Sequence, residues 1–238
     1  MSNRNTLLVT RVNPPSEAYC AAATQLGLQV WHRSMLSLQV ADLSVFLPQL
    51  ARLIKAKPAP TLVFSSPFAV RVLQTHAPEL LNRCPLLAVG PSTASALAPY
   101  PARFPSQSEG AQALLDMLPN ALEGQSLCLF QAPDALPILA LGLHDRGAEL
   151  QIIEAYTRVR TPIRDDEIER LKTVRCVDVG SGDQLQALLD EGLSLDTPMI
   201  LPSERVRRVA MLLGVRGQTH TGLSDENARL RALSLVFG

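Results

Sequence analysis

One junction limits what this chain can fold into more than any other feature: an apolar strand that runs into a helix through small hydroxyl or glycine residues. It occurs twice in each half. Val63-Phe64-Ser65-Ser66-Pro67 opens a helical pattern over 68–74, and Leu87-Ala88-Val89-Gly90-Pro91-Ser92-Thr93-Ala94 opens another. In the second half, Val177-Asp178-Val179-Gly180-Ser181-Gly182 leads into helical residues 183–189, and Met199-Ile200-Leu201-Pro202-Ser203-Glu204 into 205–213. Strands without alternation belong in parallel sheets covered on both faces. Each junction also leaves backbone N–H groups unpaired at the positive end of a helix dipole, which suits an anion. Two matched sets facing each other would grip something large and polyanionic.

Around these junctions the chain alternates short β-rich runs with amphipathic segments. Strands are expected at 7–10, 29–32, 62–65, 86–89, 102–105, 126–130, 151–156, 176–179, 199–201 and 219–221. Helices are expected at 16–26, 43–54, 67–74, 92–98, 110–118, 134–145, 165–172, 183–190, 204–213 and 225–233, with Gly27, Gly147 and Gly214 as C-caps. The fold class is therefore α/β, and the repeat argues for two doubly wound, flavodoxin-like parallel sheets rather than one wide one. Segments 34–39 and 156–162 read as crossings between them. Domain 1 then combines 1–36 with 160–238, and domain 2, residues 37–159, is inserted; a continuous split is the plainer alternative.

The remaining signals exclude more than they assign. Hydrophobic residues make up 47% and charged residues 18%, with zero formal net charge, so no broad nucleic-acid surface is expected. The apolar run 6–10 is too short for a signal-peptide core and no run is long enough to span a membrane, which points to the cytoplasm. Cys20, Cys84, Cys128 and Cys176 lack a CxxC spacing and read as reduced thiols. His32, His76, His144 and His220 show no metal-ligand spacing, so no metal is expected. Neither GxGxxG nor GxxxxGK[ST] occurs, and no GxSxG elbow surrounds Ser181. Asp178 is placed mid-strand, away from the strand end a phosphoacceptor would need.

What remains are hydroxyls and a few larger groups at helix starts. Ser65, Ser66, Thr93, Ser181 and Ser203 are ordinary N-caps on the plainest reading, each worth about 1 kcal/mol. Their shared position at the carboxyl ends of parallel strands is also where ligands of open α/β sheets bind. Tyr156 ends a strand at the second crossing, where its phenol can donate a proton; packing at the hinge is the alternative. Arg11 follows the first strand and can hold a carboxylate bidentately. Arg205 lies in a first helical turn, unlike Arg207 and Arg208, which read as a solvated face.

Taken in order, these motifs resemble the uroporphyrinogen-III synthase family over nearly the whole chain. The resemblance rests on Leu8-Val9-Thr10-Arg11, Val63-Phe64-Ser65-Ser66-Pro67, and Ala88-Val89-Gly90-Pro91-Ser92-Thr93-Ala94. It continues in Arg146-Gly147-Ala148-Glu149, Glu154-Ala155-Tyr156-Thr157-Arg158, Val179-Gly180-Ser181-Gly182 and Pro202-Ser203-Glu204-Arg205. It implies two α/β domains on a two-stranded linker, with a cleft for hydroxymethylbilane, a linear tetrapyrrole bearing eight carboxylates. It implies cyclisation with inversion of the last pyrrole ring and loss of water, without cofactor or metal. Tyr156 matches the family's tyrosine, which assists the leaving hydroxyl, and the five hydroxyl residues match its substrate-contacting turns. The implied partners are this small molecule and a transient contact with the preceding pathway enzyme; a monomer is implied, with no nucleic acid and no membrane. Two departures stand out. Gln131-Ala132-Pro133-Asp134-Ala135-Leu136-Pro137 lacks the basic residues many bacterial members carry, and Phe68 stands where some relatives have arginine. A catalytically weak tetrapyrrole-binding or regulatory protein of the same fold is the alternative reading. A periplasmic-type binding protein is a third, opposed by the missing signal sequence.

Overall fold

Apolar strand residues here serve two cores at once, one on each face of a sheet. The computed structural model describes residues 5–106, 110–221 and 226–237, and the chain gathers into two units. One unit runs through Ser37 and resumes at Val159; the other spans Leu38–Arg158.

The first unit contains β1 (Thr6–Val9), α1 (Glu17–Gln25), β2 (Gln29–His32), α8 (Asp165–Leu171), β10 (Val174–Asp178), α9 (Gly182–Asp190), β11 (Met199–Ile200), α10 (Glu204–Leu212), β12 (Thr219–His220) and α11 (Glu226–Phe237). Its parallel sheet has the order β12-β11-β10-β1-β2. Leu7, Val9, Cys176 and Ile200 pack against α1 and α11, while Leu8, Val177 and Met199 face Leu185, Leu188 and Val206 on the other side. Asp225, where the sequence begins the last helix, lies outside the described residues.

The second unit contains α2 (Leu43–Lys55), β4 (Thr61–Phe64), α3 (Pro67–His76), α4 (Glu79–Arg83), β5 (Leu86–Ala88), α5 (Pro91–Ala96), β6 (Ala102–Arg103), α6 (Ala111–Met117), β7 (Ser126–Gln131), α7 (Ile138–Asp145) and β8 (Glu149–Glu154). Its sheet is also parallel, ordered β6-β5-β4-β7-β8. Again, Leu62, Phe64, Cys128 and Phe130 face one core, and Val63, Leu127 and Leu129 the other.

The two sheets share one arrangement entered at different strands. Renumbered within its own unit, the first reads 2-1-3-4-5, the flavodoxin order, and the second reads 3-2-1-4-5, its cyclic permutation. β10 thus corresponds to β4, and β11 to β5. The duplicated strand-to-helix junction of the sequence is this correspondence.

β3 (Leu36–Val40) and β9 (Tyr156–Arg160) pair as a separate two-stranded sheet. The sequence ran one strand through Tyr156; instead the chain breaks at Ala155. Its N–H donates to Gln131 O, while its carbonyl accepts from Ala41 N–H. One residue thus bonds to β7 on one side and to the residue after β3 on the other, so Tyr156 starts a new strand. Polar clamps hold the ends of this connector within the first unit. Arg33 Nε donates to both Glu167 oxygens at 3.1 Å, and its Nη2 reaches Pro162 O. The buried Gln184 of α9 accepts from Met35 N–H at 2.6 Å and donates to Ser34 Oγ at 2.9 Å.

Gly27, Gly147 and Gly214 all adopt positive φ just beyond helix ends, as C′ residues do. α7 starts at Ile138, not near Asp134, because the residue before Pro137 is pushed out of the α region. Arg146, of the motif Arg146-Gly147-Ala148-Glu149, serves structure: its guanidinium donates to Leu115, Leu118 and Pro119 carbonyls at the end of α6. Cys84, Cys128 and Cys176 are buried and free, and burial pushes each thiol up, away from thiolate chemistry.

Candidate functional site

In the first unit the candidate residues gather at the carboxyl ends of β1, β10 and β11. Ser181 Oγ accepts from Gln184 N–H at 3.3 Å and Ser203 Oγ from Val206 N–H at 3.4 Å, so both hydroxyls cap α9 and α10. The turn before Ser181 is drawn tight: Gly180 N–H donates to Thr10 Oγ1 at 2.9 Å, and Thr10 Oγ1 to Asp178 O at 3.3 Å. A Cβ on Gly180 would stand 3.0 Å from Arg11 Cα, so glycine permits this approach. Arg205 is exposed and has no ion-pair partner among the described residues, whereas Arg207 pairs with Glu204 at 2.8 Å.

Beneath that turn lies an ionic cluster that the sequence reading missed. Asp178 is the last residue of β10, not a mid-strand one, and it is fully buried. It accepts from Arg229 of α11 and from Tyr19 Oη at 2.8 Å, and Arg11 Nε stands 3.5 Å away. Arg229 also donates to Val179 O at 3.3 Å. Burial pushes the Asp178 carboxyl up, against the pull of the two arginines. Burial and then Asp178 likewise raise the Tyr19 phenol. Arg11 lies over the Tyr19 ring at 5.1 Å and donates to Glu226 at 3.0 Å. At Glu226, burial is outweighed by hydrogen bonds from Ser16 and Arg11, which hold its carboxyl low. Much of Arg11's charge is thus committed internally. An acid inside the apolar run Val177-Asp178-Val179 was the available signal, since a buried charge demands a partner.

The matching edge of the second unit is aromatic. Phe64 and Phe130, paired across β4 and β7, stack at 5.2 Å. Ser66 Oγ caps α3 through Ala69 N–H at 3.2 Å, while Ser65 Oγ donates to Phe130 O at 3.0 Å. Thr93 is buried in the first turn of α5. Tyr156 is buried at the start of β9, its ring meeting Phe68 edge-on at 5.2 Å and 65°. One turn along α3, the guanidinium of Arg71 lies 5.4 Å from the centre of the Phe68 ring. Arg158 pairs with Asp134 at 2.9 Å, so the loop lacking basic residues takes up a motif arginine. Within this unit the fold brings Ser65, Ser66, Phe68 and Tyr156 to the strand ends. Among the described residues, no group of three His, Cys, Asp or Glu side chains is placed to hold a metal ion, and no helix is long and apolar enough to cross a membrane.

Residues 17–191 match the family model of uroporphyrinogen-III synthase HemD, well over half of the chain. The chain belongs to the uroporphyrinogen-III synthase family. Solved members share its fold at low identity. A uroporphyrinogen-III synthetase from Helicobacter pylori 26695 superimposes with a TM-score of 0.68 at 17% identity, covering 97% of this chain and 99% of that one. A mutant uroporphyrinogen III synthase from the extremely thermophilic bacterium Thermus thermophilus gives 0.65 at 18%, covering 96% and 98%. No curated protein matches the chain. Membership places the chain in porphyrin and haem biosynthesis with a tetrapyrrole as its small-molecule substrate.

Proposed function

We propose that this chain is a uroporphyrinogen-III synthase, a lyase that converts hydroxymethylbilane to the inverted macrocycle with release of one water. The family match across residues 17–191, which includes junctions of both units, carries the reading. The terminal hydroxyl leaves as water, giving an azafulvene cation. The substituted carbon of the last ring attacks to form a spiro intermediate, which fragments and recloses inverted, and a ring proton is then lost. Tyr156 assists departure of the hydroxyl by offering its phenolic proton. Positioning supplies most of the remaining catalysis, because the unguided reaction closes without inversion.

The capping geometry separates the hydroxyl residues. A serine that accepts an N–H bond keeps its own O–H for a ligand. Ser66, Ser181 and Ser203 are in that state, so each can donate to a substrate carboxylate while capping its helix. Ser65 spends its proton on Phe130 O and contacts substrate only as an acceptor or after rotation. Thr93 contributes through the first turn of α5, Arg205 by a guanidinium with no ion-pair partner among the described residues, and Arg11 through N–H groups left over from Asp178 and Glu226. We take the enzyme to be a cytoplasmic monomer that meets the preceding pathway enzyme transiently.

The test is isomer analysis. Protein incubated with fresh hydroxymethylbilane, followed by oxidation, is expected to give isomer III; isomer I alone, as in buffer, would overturn the reading.

A further inference from the structure

We infer that Arg71 holds one substrate carboxylate beside Tyr156. The inference rests on the proposed synthase reading and adds a residue that the sequence left among ordinary helix positions. Phe68 and Arg71 are three residues apart on α3 and so share a face. The Arg71 guanidinium lies 5.4 Å from the Phe68 ring centre, and that ring meets Tyr156 at 5.2 Å. Phe68 is therefore a seat touching both the proposed acid and a cation. Seating on an aromatic face restrains a long side chain and leaves its N–H fork free, the group that grips carboxylates bidentately.

The charges nearby strengthen the case. Arg158, two residues beyond Tyr156, is already paired with Asp134. Segment 131–137 offers no basic residue. Arg71 is exposed and has no ion-pair partner among the described residues, so its charge is uncancelled. An exposed guanidinium held on a ring beside an aromatic cluster suits a ligand that is both flat and anionic, as a carboxylated pyrrole chain is. Arg71 is a substrate contact in this scheme; Phe68 is a positioning residue that acts through it.

Two measurements on the purified full chain test this. One is steady-state turnover of hydroxymethylbilane; the other is fluorescence titration with uroporphyrin III, an octacarboxylate that needs no turnover. Arg71→Gln is expected to raise both KM and the uroporphyrin Kd about tenfold, near 1.4 kcal/mol, with kcat within about twofold and Tm unchanged. Arg71→Lys should fall between, keeping the charge without the fork. Phe68→Leu, which removes the seat but not the cation, should raise KM about threefold. Wild-type KM and Kd in Arg71→Gln would overturn the inference. If the wild type forms no isomer III but Arg71→Gln still weakens uroporphyrin binding, the carboxylate contact stands while the synthase reading falls.

Discussion

The carboxyl ends of the two sheets solve one structural problem with opposite chemistry. At β10 the last residue is Asp178, locked by Arg229, Tyr19 and Arg11. At β4, its counterpart in the shared strand order, the last residue is Phe64, stacked on Phe130. Both sites place a capping serine just beyond, Ser181 in one and Ser66 in the other. The topology therefore demands a filled strand end and a capped helix but does not dictate the filler. An ionic lock costs desolvation and then holds direction rigidly, while an aromatic stack contributes burial and leaves neutral surface beside the proposed acid. The ionic edge fixes direction, and the aromatic edge presents an apolar surface around Tyr156.

The sharpest way to break this contrast is to remove one partner of the lock. Arg229→Met takes from the buried Asp178 its closest cation, leaving Tyr19 and the more distant Arg11, and should cost about 3 kcal/mol, read as a lower urea midpoint with early exchange of α11 amides. A midpoint like that of the wild type would show that the lock is dispensable. Next comes the aromatic edge with its proposed acid: Tyr156→Phe keeps the ring packing against Phe68 and should slow kcat by about a hundredfold with little change in Tm. Unchanged turnover would remove the phenol from the chemistry. Phe130→Leu, which thins the stack while keeping it apolar, should cost about 1 kcal/mol; a loss as large as that of Arg229→Met would erase the contrast.

The smallest effect is in pH. Glu226 is held below its ordinary value, so its contribution is present above the unfolded carboxylate range and lost as pH falls through its folded pKa. Glu226→Gln should therefore flatten the decline of stability below about pH 4, by about 1 kcal/mol, in urea titrations across that limb. Asp178 runs the other way: its raised carboxyl favours the fold at low pH and that advantage fades as pH rises. An acid limb unchanged in Glu226→Gln would mean that Glu226 is not held as the structure places it. The aromatic edge has no counterpart to either group in Phe64, Phe68 or Phe130.

Legibility in the sequence followed the same divide. The sheet strands were visible because runs such as Thr61–Phe64 and Ser126–Gln131 are apolar on both faces. The connector was half-seen: Leu36-Ser37-Leu38-Gln39-Val40 carries the period-two alternation of a strand, and the structure pairs it with Tyr156–Arg160. The five-residue α4 is too short to show a period. Ser66, Ser181 and Ser203 could be placed as helix caps because capping is local, whereas Ser65 bonds Phe130 O across the sheet instead of capping. The ionic lock could not be placed, since Asp178 and Arg229 lie 51 residues apart and only the fold joins them. Arg71 was hidden differently: an arginine on an exposed helix face looks solvated until the ring beneath it is known.

Gln184 gives the connector a further property. Its backbone N–H is the one Ser181 caps, and its side chain grips Ser34 and the Met35 amide where β3 begins. A single residue is therefore both the donor that the Ser181 hydroxyl caps and the anchor of the chain entering the connector. The hydrogen bond that fixes the start of α9 and the two that fix the chain entering β3 depend on the same side chain and backbone, so a change at Gln184 alters both together.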